Sequence, residues 1–262
     1  MNLSPFYSIP PFLFFVLVIA VFAGVSIGGF LITRKFVEKW LGAPPAQNEV
    51  ISYYIAATGV VYGITLGLIA VGLWEHYMGI TKTVEDEAST LSELYRNVRG
   101  YKEPYKTKLT GELKKYTQYI IDEAWPKMER GIVPLEGVKM MTVFQATLYE
   151  FEPQSEGQKI IHNAGLMSYN KYVHIRQQRL ELVNKGVPYM IWWIVFFGAL
   201  INLMLSWLFV VKNKSLHILM NGLLGALIGA LVFMIIVLDF PFRGWFRVSA
   251  EPFEMVYQLL MN

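Results

Sequence analysis

Two acidic groups in this 262-residue chain are of the types that chemistry uses. Glu85, Asp86 and Glu87 stand in a row, and carboxylates suit hard cations. The better reading is a solvated helix face, with Val84 and Ala88 turned inward. Asp122 and Glu123 offer the same choice. Beside them Trp125 and Pro126 read as a helix turn or kink, so these acids are expected to be structural. The four histidines, His76, His162, His174 and His217, are scattered and show no metal-ligand spacing. No nucleophile elbow or phosphate loop occurs. There is no cysteine, which excludes disulfides, thiolate metal sites and cysteine nucleophiles. An enzyme would need a buried carboxylate cluster, for example around Glu85, Glu87 and Glu123, and the pattern does not force one. The expectation is therefore a protein with no catalytic residue, no metal and no cofactor.

The elements that must position these residues follow from hydropathy. The chain is 54% hydrophobic and only 16% charged, with a mean hydropathy of +0.39. The charges are unevenly spread, which marks an integral membrane protein. A net charge of +3 is too small to argue for nucleic acid, and no nucleic-acid motif is present. Four apolar runs, 11–33, 51–74, 187–211 and 216–238, reach the roughly 20 residues that a helix needs to cross a bilayer. None holds an internal acid, lysine or arginine. The first lacks a basic leading region and ends in Arg34 and Lys35, so it reads as a retained span.

The spans form two hairpins, 1–74 and 187–238. They flank a polar segment, 75–186, and are followed by a C-terminal segment, 239–262. The polar segment reads as helical. Val84, Ala88, Leu91, Leu94, Tyr95 and Val98 recur at helical spacing, as do Leu109, Leu113, Tyr116 and Ile120. Met141, Phe144, Leu148 and Phe151 form a third set. A fourth helix is expected to run from Ser155 into the third span. The fold class is all-α: four transmembrane helices as two hairpins with an inserted helical extramembrane domain. Arg34, Lys35 and Lys39 follow span one, and Lys212 and Lys214 lie between spans three and four. These short loops are expected in the cytoplasm, with the helical domain and termini outside. Lys171, Arg176, Arg179 and Lys185, just before span three, pull the other way.

Span two has two distinct faces. At 100° per residue, Ala56, Gly59, Gly63, Gly67 and Ala70 fall on one side and would let another helix approach closely. The other side collects Tyr54, Thr58, Tyr62, Thr65, Ile69 and Gly72. Helix packing accounts for such hydroxyls in most spans, but the pattern also suits a helix lining a water-filled path. Thr58, Tyr62, Thr65 and Ile69 are the pore-lining candidates, with Tyr62 and Ile69 as an apolar constriction. Span four repeats the small residues, with Gly225 and Gly229 as helix-packing candidates. Asn202 and Asn221 read as interhelical glue. No acid or histidine relay sits at a span centre, which argues against a proton-coupled carrier.

The chain then runs LDFPFRGWFRVSAEPFE over residues 238–254. Asp239 ends span four, where the helix dipole disfavours an acid, so it needs a partner, with Arg243 or Arg247 expected. Pro241 stops the helix, Gly244 permits a sharp turn, and a short helix starts near Glu251. Asp239, Arg243, Arg247 and Glu251 are read together as a structural latch.

This stretch resembles the end of the bacterial bestrophin-like domain family. Three more segments agree: 48–77 over span two; VEDEASTLSELYRNV, with Glu87, Ala88, Leu91, Leu94, Tyr95 and Arg96; and YIIDEAWPKMERG, where Ala124 separates Glu123 from Trp125. Ala250 stands where a proline often precedes the E-P-F. The resemblance implies kinship to bestrophins, pentameric ion channels with two hairpins around a helical domain. It implies a multi-pass protein of the bacterial inner membrane, a homo-oligomer of the pentameric kind, with the lipid bilayer and inorganic ions as partners. The rival expectation is a non-conducting scaffold or sensor whose helical domain binds a protein partner.

Overall fold

The computed structural model describes residues 9–41 and 45–262. Among the described residues every regular element is helical. The helices are α1 (Pro11–Leu41), α2 (Pro45–Val98), α3 (Tyr105–Tyr119), α4 (Trp125–Glu129), α5 (Glu136–Tyr149), α6 (Glu156–Leu182), α7 (Tyr189–Trp207), α8 (Lys214–Leu238) and α9 (Glu251–Val256). A π-helical turn, Ile120–Ala124, joins α3 to α4, and a second, Tyr257–Met261, continues α9. Four helices, α1, α2, α7 and α8, are long and apolar enough to cross a membrane. The protein is an all-α integral membrane protein.

The chain divides into two compact units, Met1–Glu75 with Val187–Asp239, and His76–Gly186 with Phe240–Asn262. In the first unit α1 and α8 lie in close contact. A Cβ at Gly225 would stand 2.6 Å from the Phe22 carbonyl oxygen, and one at Gly229 would stand 3.1 Å from the Ile19 Cα. Only hydrogen at these positions lets the two backbones approach so closely, and such approach drives helix association in lipid. The Phe15 and Phe233 rings meet edge-on at 5.0 Å. Span two is bracketed by exposed Tyr53 and Tyr54 at one end and exposed Trp74 at the other. The intervening stretch measures roughly 30 Å at 1.5 Å per residue, a bilayer's hydrocarbon thickness with amphipathic rings at its edges.

The helices of the second unit pack around one core and are joined by side-chain contacts. The outer part of α2 meets α6 where Asn97 Nδ2 donates to Ser168 Oγ at 2.9 Å. α6 meets α5 through the Tyr169 and Phe144 rings, 5.7 Å apart. α5 meets α3 where Thr147 Oγ1 donates to Glu112 Oε1 at 3.0 Å. α3 meets the terminal π turn, with Lys114 Nζ 5.6 Å from the centre of the Tyr257 ring. The terminal helix and α2 share a groove. Leu91, Leu94, Leu109 and Leu113 fill the interior.

α6 differs from the sequence expectation. It begins where expected, with Ser155 Oγ accepting from the Gln158 N–H, but it does not enter span three. It stops at Leu182, and α7 starts anew after Pro188. Proline lacks an N–H and restricts the residue before it, so Gly186–Val187–Pro188 breaks the helical ladder.

Candidate functional site

Span two is held to α7 by its hydroxyl side. Tyr62 donates its phenolic O–H to the Val195 carbonyl at 2.9 Å. Its ring occupies the space over Gly198, where a Cβ would stand 2.4 Å from the ring. Thr58 Oγ1 bonds the Tyr54 carbonyl within its own helix and lies 3.4 Å from Asn202 Oδ1. Asn202 Nδ2 in turn donates to the Gly198 carbonyl at 2.9 Å. A side-opening groove of about 400 Å³ runs here, lined by Thr58, Val61, Thr65, Phe197 and Ile201 among others. Among the described residues Thr65 Oγ1 bonds only the Val61 carbonyl one turn back, and Ile69 is half-buried.

These positions revise the two-faced reading of span two. Thr58 and Tyr62, expected on the face opposite the packing stripe, are the residues that touch α7. Gly63 and Gly67, expected to pack, face open space where a methyl would stand, while a Cβ at Gly59 would lie 3.7 Å from Asn202 Oδ1. The reason is polar satisfaction: a phenol in an apolar span needs an acceptor, and a carbonyl of α7 supplies one. At the start of α2, Asn48 makes a two-way clamp, accepting from the Val210 N–H at 3.0 Å and donating to the Val210 carbonyl at 2.7 Å.

A second polar centre joins α1, α7 and α8. Ser26 Oγ donates to the Asn221 carbonyl at 2.8 Å, and Ser206 Oγ lies 2.9 Å from Asn221 Oδ1. Trp207 Nε1 donates to the Ser26 carbonyl at 2.8 Å. His217 Nε2 lies 3.2 Å from the Ser206 carbonyl. A carbonyl only accepts, so Nε2 carries the proton there. All of these side chains except that of Trp207 are buried.

The C-terminal segment turns at Gly244, whose φ of +82° suits glycine. Asp239 Oδ1 accepts the Val187 N–H at 2.6 Å. Arg243 donates to Asn184 Oδ1 and lies 4.6 Å from the centre of the Phe240 ring. Its guanidinium fills the space over Gly131, whose φ of +76° again favours glycine. Arg247 Nε pairs with Glu129 Oε1 at 2.6 Å. Glu251 is exposed in the first turn of α9, where an acid complements the helix dipole.

The deepest chemistry in the second unit is a buried ion pair. Arg179 Nε lies 2.5 Å from Glu87 Oε2, and their side chains are 1% and 0% exposed. Tyr172 donates to Glu87 Oε1 at 3.2 Å or to Tyr116 at 2.9 Å. Arg179 Nη1 lies 2.9 Å from Met128 Sδ. The guanidinium sits 5.2 Å from the Trp125 ring centre and 5.8 Å from that of Phe253, within cation–π range. Burial alone would favour a neutral Arg179, but the Glu87 carboxylate outweighs it and holds the guanidinium's pKa above its ordinary value. Burial pushes the Tyr116 and Tyr172 phenols up, so both stay protonated. Glu87 therefore departs from the solvated face expected for the acidic run, while Glu85 and Asp86 remain exposed on it. Helical spacing explains this: Glu87 shares the inward stripe of Val84, Ala88 and Leu91. Glu123 is 63% exposed, so no carboxylate cluster forms with Glu87. Among the described residues no group of three acids or histidines is placed to hold a metal.

Residues 19–253 match the bestrophin-like domain family. The chain belongs to that family. Among curated proteins nothing matches. Among solved structures, the fold is similar to an isoleucine-to-threonine variant of a bacterial bestrophin homologue from Klebsiella pneumoniae. The TM-score is 0.59 at 11% identity, covering 97% of this chain and 100% of that one. An aspartate-to-alanine variant of the Klebsiella homologue gives 0.58 at 12% identity, covering 95% and 97%. A proline-to-alanine variant described as a membrane protein gives 0.57 at 11%, covering 94% and 96%. At these identities the likeness is one of fold.

In this bestrophin-like chain, three of the segments that carried the resemblance converge on one place. Glu87, Trp125 and Phe253, from three distant parts of the sequence, all surround Arg179. The Trp125 indole N–H also donates to the Val248 carbonyl at 3.1 Å. The sequence reading missed Arg179 as the centre of this cluster. The signal was periodic: Tyr169, Tyr172, Arg176, Arg179 and Val183 recur every three or four residues, and all are buried. Two arginines on a core stripe require a buried acceptor.

Proposed function

We propose that the chain is one subunit of an oligomeric bestrophin-like ion channel whose path is lined by the second span. The observation that carries this is how little of span two the protomer covers. Only 6% of its apolar window is buried, against 39% for α8. Val60, Val61, Ile64 and Leu68 are each at least 60% exposed. A helix left so bare in one protomer suits a place around a shared axis. Family membership and the 2 + domain + 2 layout support the same reading. Thr58 and Tyr62 serve docking on α7. Thr65 and Ile69 continue the same flank without hydrogen bonds to another helix among the described residues, and they are the lining residues of this proposal, with Ile69 as a dewetting constriction.

The test is current across planar bilayers under a salt gradient, followed by cysteine scanning of residues 58–72 in the cysteine-free chain. A current blocked by thiol reagents at Thr65→Cys and Ile69→Cys supports the assignment. Block confined to Val60→Cys, Ile64→Cys and Leu68→Cys keeps span two as the lining but moves the path to its other face. No current from reconstituted oligomer across voltage, pH and calcium shifts the reading to a scaffold. The orientation drawn from Arg34, Lys35, Lys39, Lys212 and Lys214, with these loops cytoplasmic, is checked by sided labelling of a cysteine placed at Lys212.

A further inference from the structure

Two arginines share the inward stripe of α6, and only one of them has a counter-charge. Glu87 pairs with Arg179. Arg176, one turn earlier, is 7% exposed. Among the described residues its guanidinium meets no acid at ion-pair distance and no hydrogen-bond acceptor. The unpaired side-chain atoms that are sealed from solvent belong to Gln47, Glu112 and Arg243. The Arg176 nitrogens are not among them, so the rim of the guanidinium stays open to a small solute. A nearly buried charge with no partner is costly, and such groups are normally paired.

The guanidinium is aimed at the start of α5. A Cβ at Gly137, the second residue of that helix, would stand 3.2 Å from Arg176 Nη2, 3.1 Å from the Tyr119 ring and 3.3 Å from the Tyr116 ring. The positive end of a 14-residue helix and a full positive charge are thus pressed together. The acids on this side are committed elsewhere. Glu136 takes the Lys127 ammonium at 3.0 Å and the Tyr119 hydroxyl at 3.1 Å, and Glu123 lies 4.0 Å from the same ammonium. The Gly137 N–H is directed at the Tyr119 hydroxyl, so what α5 adds beside Arg176 is chiefly its field.

We propose that this corner binds a small oxyanion of the phosphate class, held by the Arg176 guanidinium at the N-terminus of α5. The planar fork of a guanidinium matches two oxygens of such an ion, and the helix end favours its negative charge. The ion supplies the counter-charge that Glu87 gives to Arg179. It ties α6 to α5, so its binding stabilises the second unit.

The experiment follows the thermal midpoint of the full chain in detergent while inorganic phosphate replaces chloride at constant ionic strength. The wild type should show a saturable rise. Arg176→Met should show none. In phosphate-free buffer its midpoint should equal or exceed that of the wild type, because the change removes a charge that no residue compensates. Arg176→Lys keeps the charge but loses the fork, and should need more phosphate for the same rise. A flat wild type overturns the inference, and so do equal responses in the wild type and both variants, which would put the phosphate elsewhere. A phosphate-free loss in Arg176→Met as large as that in Arg179→Met also overturns it, by showing that a residue of the protein already pairs with Arg176. A rise produced by phosphatidic acid in the micelle, with none from inorganic phosphate, would assign the charge to a lipid headgroup and end the free-ion reading.

Discussion

The two buried polar centres of this protein solve the same problem with different chemistry. In the first unit, Ser26, Ser206, His217 and Asn221 form a neutral network of short side chains tied mostly to backbone carbonyls. In the second unit, Glu87 and Arg179 bring two full charges into a site with almost no exposure. The surroundings explain the difference. Within spans, each unpaired polar group faces hydrocarbon, and neutral groups that bond nearby carbonyls carry the smallest desolvation cost. In the helical domain the ion pair is surrounded by a tyrosine, a thioether and two aromatic rings that satisfy it on several sides. Its dependence on both partners is correspondingly greater.

The largest effect should come from splitting the pair. Arg179→Met leaves Glu87 buried and unpaired, and should cost about 3–5 kcal/mol, read as a fall in thermal midpoint. Adding Glu87→Leu should recover most of that loss, because an apolar pair of similar volume tolerates burial. Failure of the double variant to recover would mean that the pair does more than satisfy itself. Next, Asn221→Leu should cost about 1–3 kcal/mol by removing the amide's bonds to Ser206 and to the His217 carbonyl, while the Ser26 and Ser206 hydroxyls keep backbone acceptors. A loss as large as that of Arg179→Met would erase the contrast between the two centres.

The same contrast between covered and open surface applies to glycine. Gly225→Ala places a methyl 2.6 Å from a backbone oxygen of α1 and should cost about 1–3 kcal/mol. Gly63→Ala meets open space and should leave the subunit's stability within about 0.5 kcal/mol. A large thermal shift from Gly63→Ala would show that the assembly covers that face.

The smallest effect concerns a surface pair. The Lys127 ammonium, 3.0 Å from Glu136, is the first cause holding that carboxyl at about 2, below its ordinary 4.5. A depressed carboxyl stabilises the fold above its unfolded pKa, and the contribution fades as pH falls from 4.5 toward 2. Glu136→Gln should therefore lower the thermal midpoint slightly at neutral pH, with the difference from wild type vanishing as pH falls toward 2, so that the variant's acid limb is flatter. An acid limb as steep as wild type would remove this pair from the account.

Much of this architecture was legible in residue order. Runs of about 20 apolar residues announce spans because hydrocarbon admits little else. The Gly-Val-Pro before α7 could have been read as a break, and the motif segments pointed to the family. Tyr62 shows where such reading stops. Its periodicity put it on a face, but the carbonyl that claims it lies 133 residues away. Glu87 shows the same limit: it looked like one acid among three, and its partner is 92 residues distant.

The sequence by itself determined the composition of each helix, the places where helices end, and the membership of the chain in its family. These depend on local spacing and on transfer free energies that each residue carries with it. Only the tertiary structure decided which face of span two meets α7, which glycines are pressed against another backbone, and which arginine stands at the centre of the domain. Those outcomes depend on what lies across a contact, and a polar or small side chain acquires its role from the partner that folding brings to it.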